Sequence, residues 1–209
     1  SHLSIFAAMI LIISVFSTAN GNQASFLRFK QQTKTNVVNR NGAWALRGRT
    51  VNSFCYRKHK DAKHVSLGIA VNGSTQCVIL DLVIASGADY YATTNTPYYQ
   101  FVVDTDLTKC TCTDSTRRFR PLANPTVATL TLNDVINTVN TYDGALAHQY
   151  YRMNTNNCVH FASYVWNQHV TGNGGFSDHA IKCEVMANYD QSRFYIDFID
   201  PTGTGVPHC

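Results

Sequence analysis

The segment NNCVHFASYVW, residues 156–166, predicts the start of a helix with a cysteine in its first turn. Apolar residues recur at helical spacing after Cys158, and Asn156 or Asn157 can cap the helix. The N-terminal end of a helix carries partial positive charge and favours a thiolate over a thiol. Cys158 is therefore a candidate nucleophile, although a cysteine at the start of a helix can equally be a disulfide partner.

A second segment, HVSLGIAVNGSTQCVILDLVIA at residues 64–85, predicts a β-hairpin. Apolar residues alternate with small ones after His64, which indicates a strand with one apolar face. Asn72-Gly73 is a strong signal for a two-residue turn, and residues 77–84 predict the returning strand. His64 falls on the face of small side chains, where we expect room for a substrate and a partner helix.

The other periodic segments complete an α+β pattern. Strands are predicted over residues 98–104 and 193–199, and an amphipathic helix is predicted over residues 131–142. Residues 22–63 are polar and irregular, so no regular element is expected there.

The start of the chain is typical of a secreted protein. An apolar run at residues 5–13 is followed by small residues at the spacing expected for signal-peptidase cleavage. The run is shorter than the roughly 20 residues that a membrane span requires. We therefore expect a signal peptide over residues 1–21 and one domain over residues 22–209, in an extracellular protein. The sequon at residues 72–74, in the predicted hairpin turn, can carry an N-linked glycan.

The cysteine count points to disulfides and one remaining thiol. The chain has seven cysteines, and secreted proteins normally pair theirs. Cys110 and Cys112 are too close to bridge each other comfortably, so each is expected to bond a different partner. The odd count leaves one cysteine over, which is the one of chemical interest.

Charge and composition restrict the expected partners. Only 14% of the residues are charged, and the net charge of +4 comes from a basic segment that ends near His64. This segment can be a solvated face, or it can lie against an anionic membrane surface. No recognised nucleic-acid motif accompanies it, so no nucleic acid is expected. No metal or other cofactor is expected, because the histidines lack metal-ligand spacing and no CxxC pair occurs.

The NCVHF box at residues 157–161 resembles the corresponding box of the lecithin:retinol acyltransferase-like (LRAT-like) proteins. It is also similar to the box of the PPPDE-type thiol peptidases. The strand that opens with His64 resembles the other half of the same family pattern, and Tyr151 matches an aromatic residue commonly found ahead of the box. The resemblance covers roughly residues 63–82 and 150–166.

Both families are permuted relatives of the NlpC and papain-like hydrolases, with the catalytic histidine earlier in the chain than the cysteine. The resemblance implies a permuted papain-like (NlpC-type) fold, in which an antiparallel sheet packs against helices that include the one bearing Cys158. It also implies that Cys158 is the nucleophile and His64 its base. His160, inside the box, is expected to be a packing residue.

Two residues are candidates for the third catalytic residue, which would orient the His64 ring beside Cys158. LRAT-like enzymes usually carry a second histidine about a dozen residues after the first, and that position is occupied here by Gln76. A two-residue turn would instead set Asp81 opposite His64, where a carboxylate could orient the ring and stabilise its charged form. We expect Gln76 slightly ahead of Asp81. A Cys–His dyad of the PPPDE type needs neither.

Two classes of function follow. The first is a secreted cysteine-dependent acyl hydrolase or acyltransferase that acts on lipid ester or amide substrates through a thioester, with phospholipid the favoured substrate. The second is a disulfide-stabilised binding or toxin-like protein that keeps the fold without the activity, which the missing second histidine favours. Whether Cys158 is a thiol or is bridged distinguishes the two classes.

Overall fold

The computed structural model describes residues 40–59, 64–89, 92, 94–115, 117–120, 129–170 and 174–188. All of them belong to the unit that spans Val37–Cys209. The predicted signal peptide at residues 1–21 and the predicted strand at residues 193–199 lie outside the described residues. Within the part described, no helix is long and apolar enough to cross a membrane.

The described residues form an α+β arrangement, as predicted. Its strands are β1 Val51–His59, β2 Val65–Val71, β3 Cys77–Val83, β4 Tyr98–Asp104 and β5 Arg117–Arg120. Its helices are α1 Arg40–Leu46, α2 Leu132–Gly144, α3 Cys158–His169 and α4 Asp178–Asn188. The strands pair in one antiparallel sheet with the order β4-β3-β2-β1-β5.

The expectation that residues 22–63 are irregular is wrong for α1 and for β1, which is an inner strand of the sheet. The register of β1 against β2 shifts between Val51 and Ser53. A bulge of this kind adds a residue to one strand and interrupts the alternation of its side chains. The buried residues Val51, Phe54 and Tyr56 therefore do not keep a spacing of two, and the pattern of a strand is hidden in the sequence.

The hairpin of β2 and β3 has a longer loop than predicted. A two-residue turn would place Ala70 opposite residue 75, whereas Ala70 pairs with Cys77 and Leu67 pairs with Leu80. The loop therefore occupies residues 72–76, between the two strands. The pairing is displaced by two residues from the predicted one, so every side chain keeps its face of the sheet but meets a different partner.

One face of the sheet packs against α3 and forms the main core. Phe54 of β1 stacks on Trp166 of α3 with ring centroids 5.3 Å apart. Leu67 and Ile69 of β2 belong to the same buried cluster. Burial of each such side chain contributes roughly 1.5–3 kcal/mol, so the contact with the sheet holds α3 and its N-terminus in place.

The opposite face of β2 is covered by residues 104–115, and the room expected there for a substrate is occupied. Two disulfides hold this segment: Cys55–Cys112 and Cys77–Cys110. A Cβ atom added to Gly68 would lie 2.5 Å from the backbone oxygen of Lys109. The small residues of β2 therefore admit a backbone segment, and Cys110 and Cys112 bond different partners as their spacing predicts.

The first turn of α2 is closed by a capping box. The Thr131 hydroxyl accepts a hydrogen bond from the backbone N–H of Asp134 at 3.3 Å, and the Asp134 carboxylate accepts one from the backbone N–H of Thr131 at 2.8 Å. These bonds satisfy N–H groups that have no partner within the helix.

We predict that Thr131→Ala lowers the free energy of unfolding by about 0.5–2 kcal/mol, because the cap hydroxyl is lost. Urea denaturation measures the change. Thr141→Ala is the matched control, since its hydroxyl only returns to the Asn137 carbonyl within the same helix, and we expect a change below about 0.5 kcal/mol. Equal effects for the two variants would contradict the capping role.

Candidate active site

The N-terminus of α3 is capped by Asn157, one of the two asparagines proposed for that position. Its side-chain oxygen accepts hydrogen bonds from the backbone N–H groups of Val159 at 2.8 Å and His160 at 3.2 Å. Its amide donates to the Met153 carbonyl. Cys158 is therefore the first residue of the helix, at the positive end of the helix dipole.

Asn156 stabilises the turn that precedes α3 through hydrogen bonds of its side chain. It is fully buried, and its side-chain oxygen accepts a hydrogen bond from the Tyr142 hydroxyl at 2.6 Å. Its amide donates to the carbonyl oxygens of His148 at 3.0 Å and Tyr150 at 2.7 Å. With every polar atom of this side chain bonded, Asn156 fixes where α3 begins.

Cys158 keeps a thiol, and it takes part in no disulfide. The residue is 1% exposed and belongs to the main core. Its backbone N–H lies 3.5 Å from the hydroxyl oxygen of Tyr151, and Tyr151 is itself held by a 2.7 Å hydrogen bond from its N–H to the Asn95 carbonyl. The thiol therefore lies in the main core, next to a turn that Tyr151 links to Asn95.

His64 lies between a carboxylate and the thiol. Its Nε2 is 2.9 Å from Oδ1 of Asp81, and its side chain is also hydrogen-bonded to Cys158. Because Asp81 engages Nε2, Nδ1 is the ring nitrogen available to exchange a proton with sulfur. The structure therefore brings together three residues proposed from the sequence: Cys158, His64 and Asp81.

The register of the hairpin explains why Asp81 meets His64. Continuing the Leu67–Leu80 pair by one residue places Asp81 across from Ser66, so Asp81 is the diagonal neighbour of His64. Diagonal neighbours are about 7–8 Å apart at their Cα atoms, within reach of an imidazole and a carboxylate. Asp81, the second of the two candidates, is thus the one that contacts His64, although the directly opposite pairing predicted for it is wrong.

Gln76 does not approach the ring, and the expectation that it orients His64 is contradicted. Gln76 is exposed in the hairpin loop, where its backbone N–H donates to the Ser74 hydroxyl at 3.0 Å. His64 precedes β2 and Gln76 precedes β3, so they lie at opposite ends of the hairpin. With a rise of about 3.3 Å per residue, the length of β2 separates them by roughly 20 Å.

The electrostatics of His64 favour its charged form. Burial by itself would lower the pKa of the imidazole, but hydrogen bonds to Asp81 and to Cys158, and the negative charges of those groups, raise its pKa to about 10. An imidazolium next to a thiol in turn favours the thiolate. The raised pKa of His64 therefore corresponds to a charged ring at neutral pH.

His160, the second histidine of the box, does not join this cluster. The pKa of His160 is lowered to about 4, mainly by burial and then by the proximity of His148. A hydrogen bond with the Asn154 backbone opposes this shift only weakly. The ring is therefore neutral at physiological pH. It fits the expected packing role, and no proton transfer requires it.

The first turn of a helix normally offers several free backbone N–H groups that could stabilise an oxyanion, but most of those in α3 are already hydrogen-bonded. The N–H groups of Val159 and His160 are both taken by the Asn157 cap. The N–H of Cys158 is not bonded by that cap, and its contact with the Tyr151 hydroxyl is long. Among the first N–H groups of α3, the Cys158 N–H is therefore the one that the Asn157 cap does not engage, and the Tyr151 hydroxyl lies beside it.

No family model, curated protein or solved structure matches this chain. Within the described ranges, no group of three or more His, Cys, Asp and Glu side chains is arranged to hold a metal ion.

We predict that Asp81→Asn lowers the pKa of His64 markedly, because a charge-assisted hydrogen bond becomes a neutral one. Titration of the imidazole by NMR measures the change. Gln76→Ala is the control and leaves the titration of His64 unaltered, since Gln76 lies at the other end of the hairpin. A larger effect from Gln76→Ala than from Asp81→Asn would restore Gln76 as the orienting residue.

The raised pKa of His64 also predicts a pH dependence of stability. A group whose pKa is higher in the folded than in the unfolded chain stabilises the fold fully below its unfolded pKa, here about 6.5. That contribution is lost as pH rises from about 6.5 toward about 10. The difference in urea midpoint between wild type and Asp81→Asn should therefore be largest near pH 6 and shrink toward pH 10. A difference that grows with pH would show that His64 is neutral in the pair.

Proposed function

We propose that this protein is a cysteine-dependent acyl hydrolase or acyltransferase. The observation that carries the proposal is the His64 ring, whose Nε2 is 2.9 Å from the Asp81 carboxylate and whose side chain is also hydrogen-bonded to Cys158. A nucleophile, a base and a group that orients the base are the three parts of a triad. Their order along the chain, histidine before cysteine, agrees with the resemblance to permuted papain-like hydrolases.

The reaction starts from the thiolate–imidazolium pair. The Cys158 thiolate attacks an acyl carbonyl, and the oxyanion of the tetrahedral intermediate binds to the Cys158 N–H and the Tyr151 hydroxyl. His64 gives its Nδ1 proton to the leaving alcohol or amine, and a thioester remains on sulfur. Water or an acceptor alcohol then loses a proton to His64 and attacks the thioester, which releases the acyl product and restores the pair.

Asp81 has a defined part in this cycle. The carboxylate accepts a hydrogen bond from Nε2, so the ring presents Nδ1 to the sulfur in both protonation states. Its charge also stabilises the imidazolium that is present before acylation. Asp81 is thus a positioning and charge-stabilising residue, and it does not itself gain a proton.

Substrate access comes from the side of the histidine. The His64 side chain is 36% exposed and that of Asp81 is 15% exposed, whereas Cys158 is nearly enclosed. A carbonyl carbon therefore reaches sulfur along the His64 ring. Lipid esters and amides both present such a carbonyl, and we favour a phospholipid, for which an anionic membrane surface is the site of encounter.

The setting of the reaction is proposed to be extracellular. Two disulfides, Cys55–Cys112 and Cys77–Cys110, point to an oxidising compartment. The signal peptide proposed for residues 1–21 would direct the chain into the secretory pathway. A glycan on Asn72, which is exposed in the hairpin loop, would be a further consequence of that route.

The second candidate is a binding protein that keeps the same fold without turnover. The specific observation in its favour is the burial of Cys158, which is 1% exposed. A thiol that no substrate reaches would pack in the core like any small apolar side chain. The two candidates differ in whether an acyl group is found on the sulfur.

We predict that wild type, given a small activated ester or phospholipid vesicles, gains the mass of one acyl group and that hydroxylamine removes it. Cys158→Ser should lose turnover by about a thousandfold or more while both disulfides and the thermal midpoint are retained. His64→Ala should lose about 10²–10⁴-fold, the usual contribution of a general base. Intact-mass spectrometry and product release measure these changes. If wild type acquires no acyl group from esters, amides or phospholipid, the binding protein is the correct reading.

A further inference from the structure

A buried arginine lies on the same face of the sheet as Asp81, and the reaction outlined above does not use it. Arg57 of β1 is 3% exposed. Its Nη1 donates to the Ser66 hydroxyl at 3.0 Å, and its Nη2 is 3.9 Å from the Asp114 carboxylate. Its Nε is buried and has no hydrogen-bond partner among the described residues. Burial of a guanidinium is expensive unless nearby anions compensate it, and one long ion pair is little compensation.

The strand registers place this charge next to the candidate site. Arg57 pairs with Ser66 across β1 and β2, and the β2–β3 register sets Asp81 on the other side of Ser66. Arg57, Ser66 and Asp81 thus form a row across three neighbouring strands, with their side chains on one face. Adjacent strands are about 4.8 Å apart, so the long arginine side chain needs to bridge only one intervening residue to reach the carboxylate.

The charges around Arg57 single out Asp81. Burial lowers the pKa of Arg57, and the attraction to Asp81 is the strongest influence that opposes this lowering, ahead of the attraction to Asp114 and then to Asp104 and Asp106. Two other cations among the described residues are affected by Arg57: Arg117 of β5, whose pKa is lowered by burial and then by repulsion from Arg57, and Lys109, whose pKa is raised mainly by Asp104 against a smaller repulsion from Arg57. Asp81, which contacts the His64 ring, therefore also lies within the electrostatic influence of the buried guanidinium, although the ion pair within 4 Å is with Asp114.

We propose that Arg57 is a positioning residue of the Cys158–His64–Asp81 cluster, which acts through Asp81 by holding that carboxylate turned toward His64. The proposal rests on the proposed function for its catalytic meaning. Four groups then follow one another with alternating charge: thiolate, imidazolium, carboxylate and guanidinium. Because each charge has an opposite neighbour, the cluster can be partly desolvated without neutralising any member.

The experiment is the pH profile of Cys158 alkylation by iodoacetamide, which reports the thiolate without any substrate. The acid midpoint of this profile marks the pH at which the thiolate–imidazolium pair forms. Without Arg57 the Asp81 carboxylate is no longer held against His64 and the imidazolium beside the sulfur is less stable, so Arg57→Gln moves the acid midpoint upward. Below the wild-type midpoint we expect an alkylation rate reduced by about three- to tenfold, which corresponds to a shift of about 0.5–1 pH unit.

Three variants separate charge from structure. Arg57→Lys retains the charge and keeps the wild-type midpoint, whereas a residue needed only for packing would not be rescued by lysine. Arg117→Gln removes an arginine one strand farther from Asp81 and leaves the midpoint within about 0.2 pH unit. Asp114→Asn removes a competing acid from Arg57 and moves the midpoint downward, which keeps the test decisive if Arg57→Gln does not fold.

A double variant tests whether Arg57 acts through Asp81. In an Asp81→Asn background, Arg57→Gln should add no further shift of the midpoint. A full additional shift there, an unchanged midpoint in folded Arg57→Gln, or a failure of Arg57→Lys to restore the profile would each overturn the proposal.

The outcome for Arg57 is distinguishable from the outcome for the proposed function. If wild-type Cys158 shows no reactivity below neutral pH, the thiolate–imidazolium pair is absent and the proposed function fails with it. If wild type is reactive and Arg57→Gln is indistinguishable from it, only the role of Arg57 is wrong.

Discussion

The pairing of Leu67 with Leu80 determines which side chains His64 can meet. It sets Asp81 as the diagonal neighbour of His64 and leaves Gln76 at the far end of the hairpin. A slip of one residue would turn Asp81 to the other face of the sheet, since side chains alternate with a period of two. On the same strand, Gly68 faces the disulfide-bonded segment. The Lys109 backbone comes so close there that residue 68 can have no side chain. One set of backbone hydrogen bonds therefore supports both the site and the cover of the sheet.

The site concentrates charge in a protein that has little of it. Only 14% of the residues are charged, yet His64 contacts Asp81, and the buried Arg57 lies in the same cross-strand row as Asp81 with Ser66 between them. Burial alone would lower the pKa of His64. The interactions of the ring with Asp81 and Cys158 outweigh this effect and raise the pKa. Such a cluster suits the proposed thiol chemistry, because an imidazolium favours the ionised form of a neighbouring sulfur.

Among the cysteines discussed above, four form disulfides, whereas Cys158 remains a thiol. Four cysteines tie residues 104–115 to one face of the sheet. Cys158 is on a helix that packs in the main core, and it keeps its thiol. The odd cysteine count indicated that one thiol would remain, and the packing of α3 shows which one lies next to a histidine.

Local sequence by itself determined the elements whose signals lie within a few residues: the helix that begins at Cys158, the strand that follows His64, and the α+β class. It missed β1, because a bulge interrupts the alternation of that strand. The choice between Gln76 and Asp81 was beyond local sequence, since it depends on the length of the hairpin loop. In the folded chain Arg49, more than 20 residues away, donates hydrogen bonds to the carbonyl oxygens of Asn72 and Gly73. Loop conformation, and with it the partner of His64, was decided by a tertiary contact that the Asn-Gly signal does not contain.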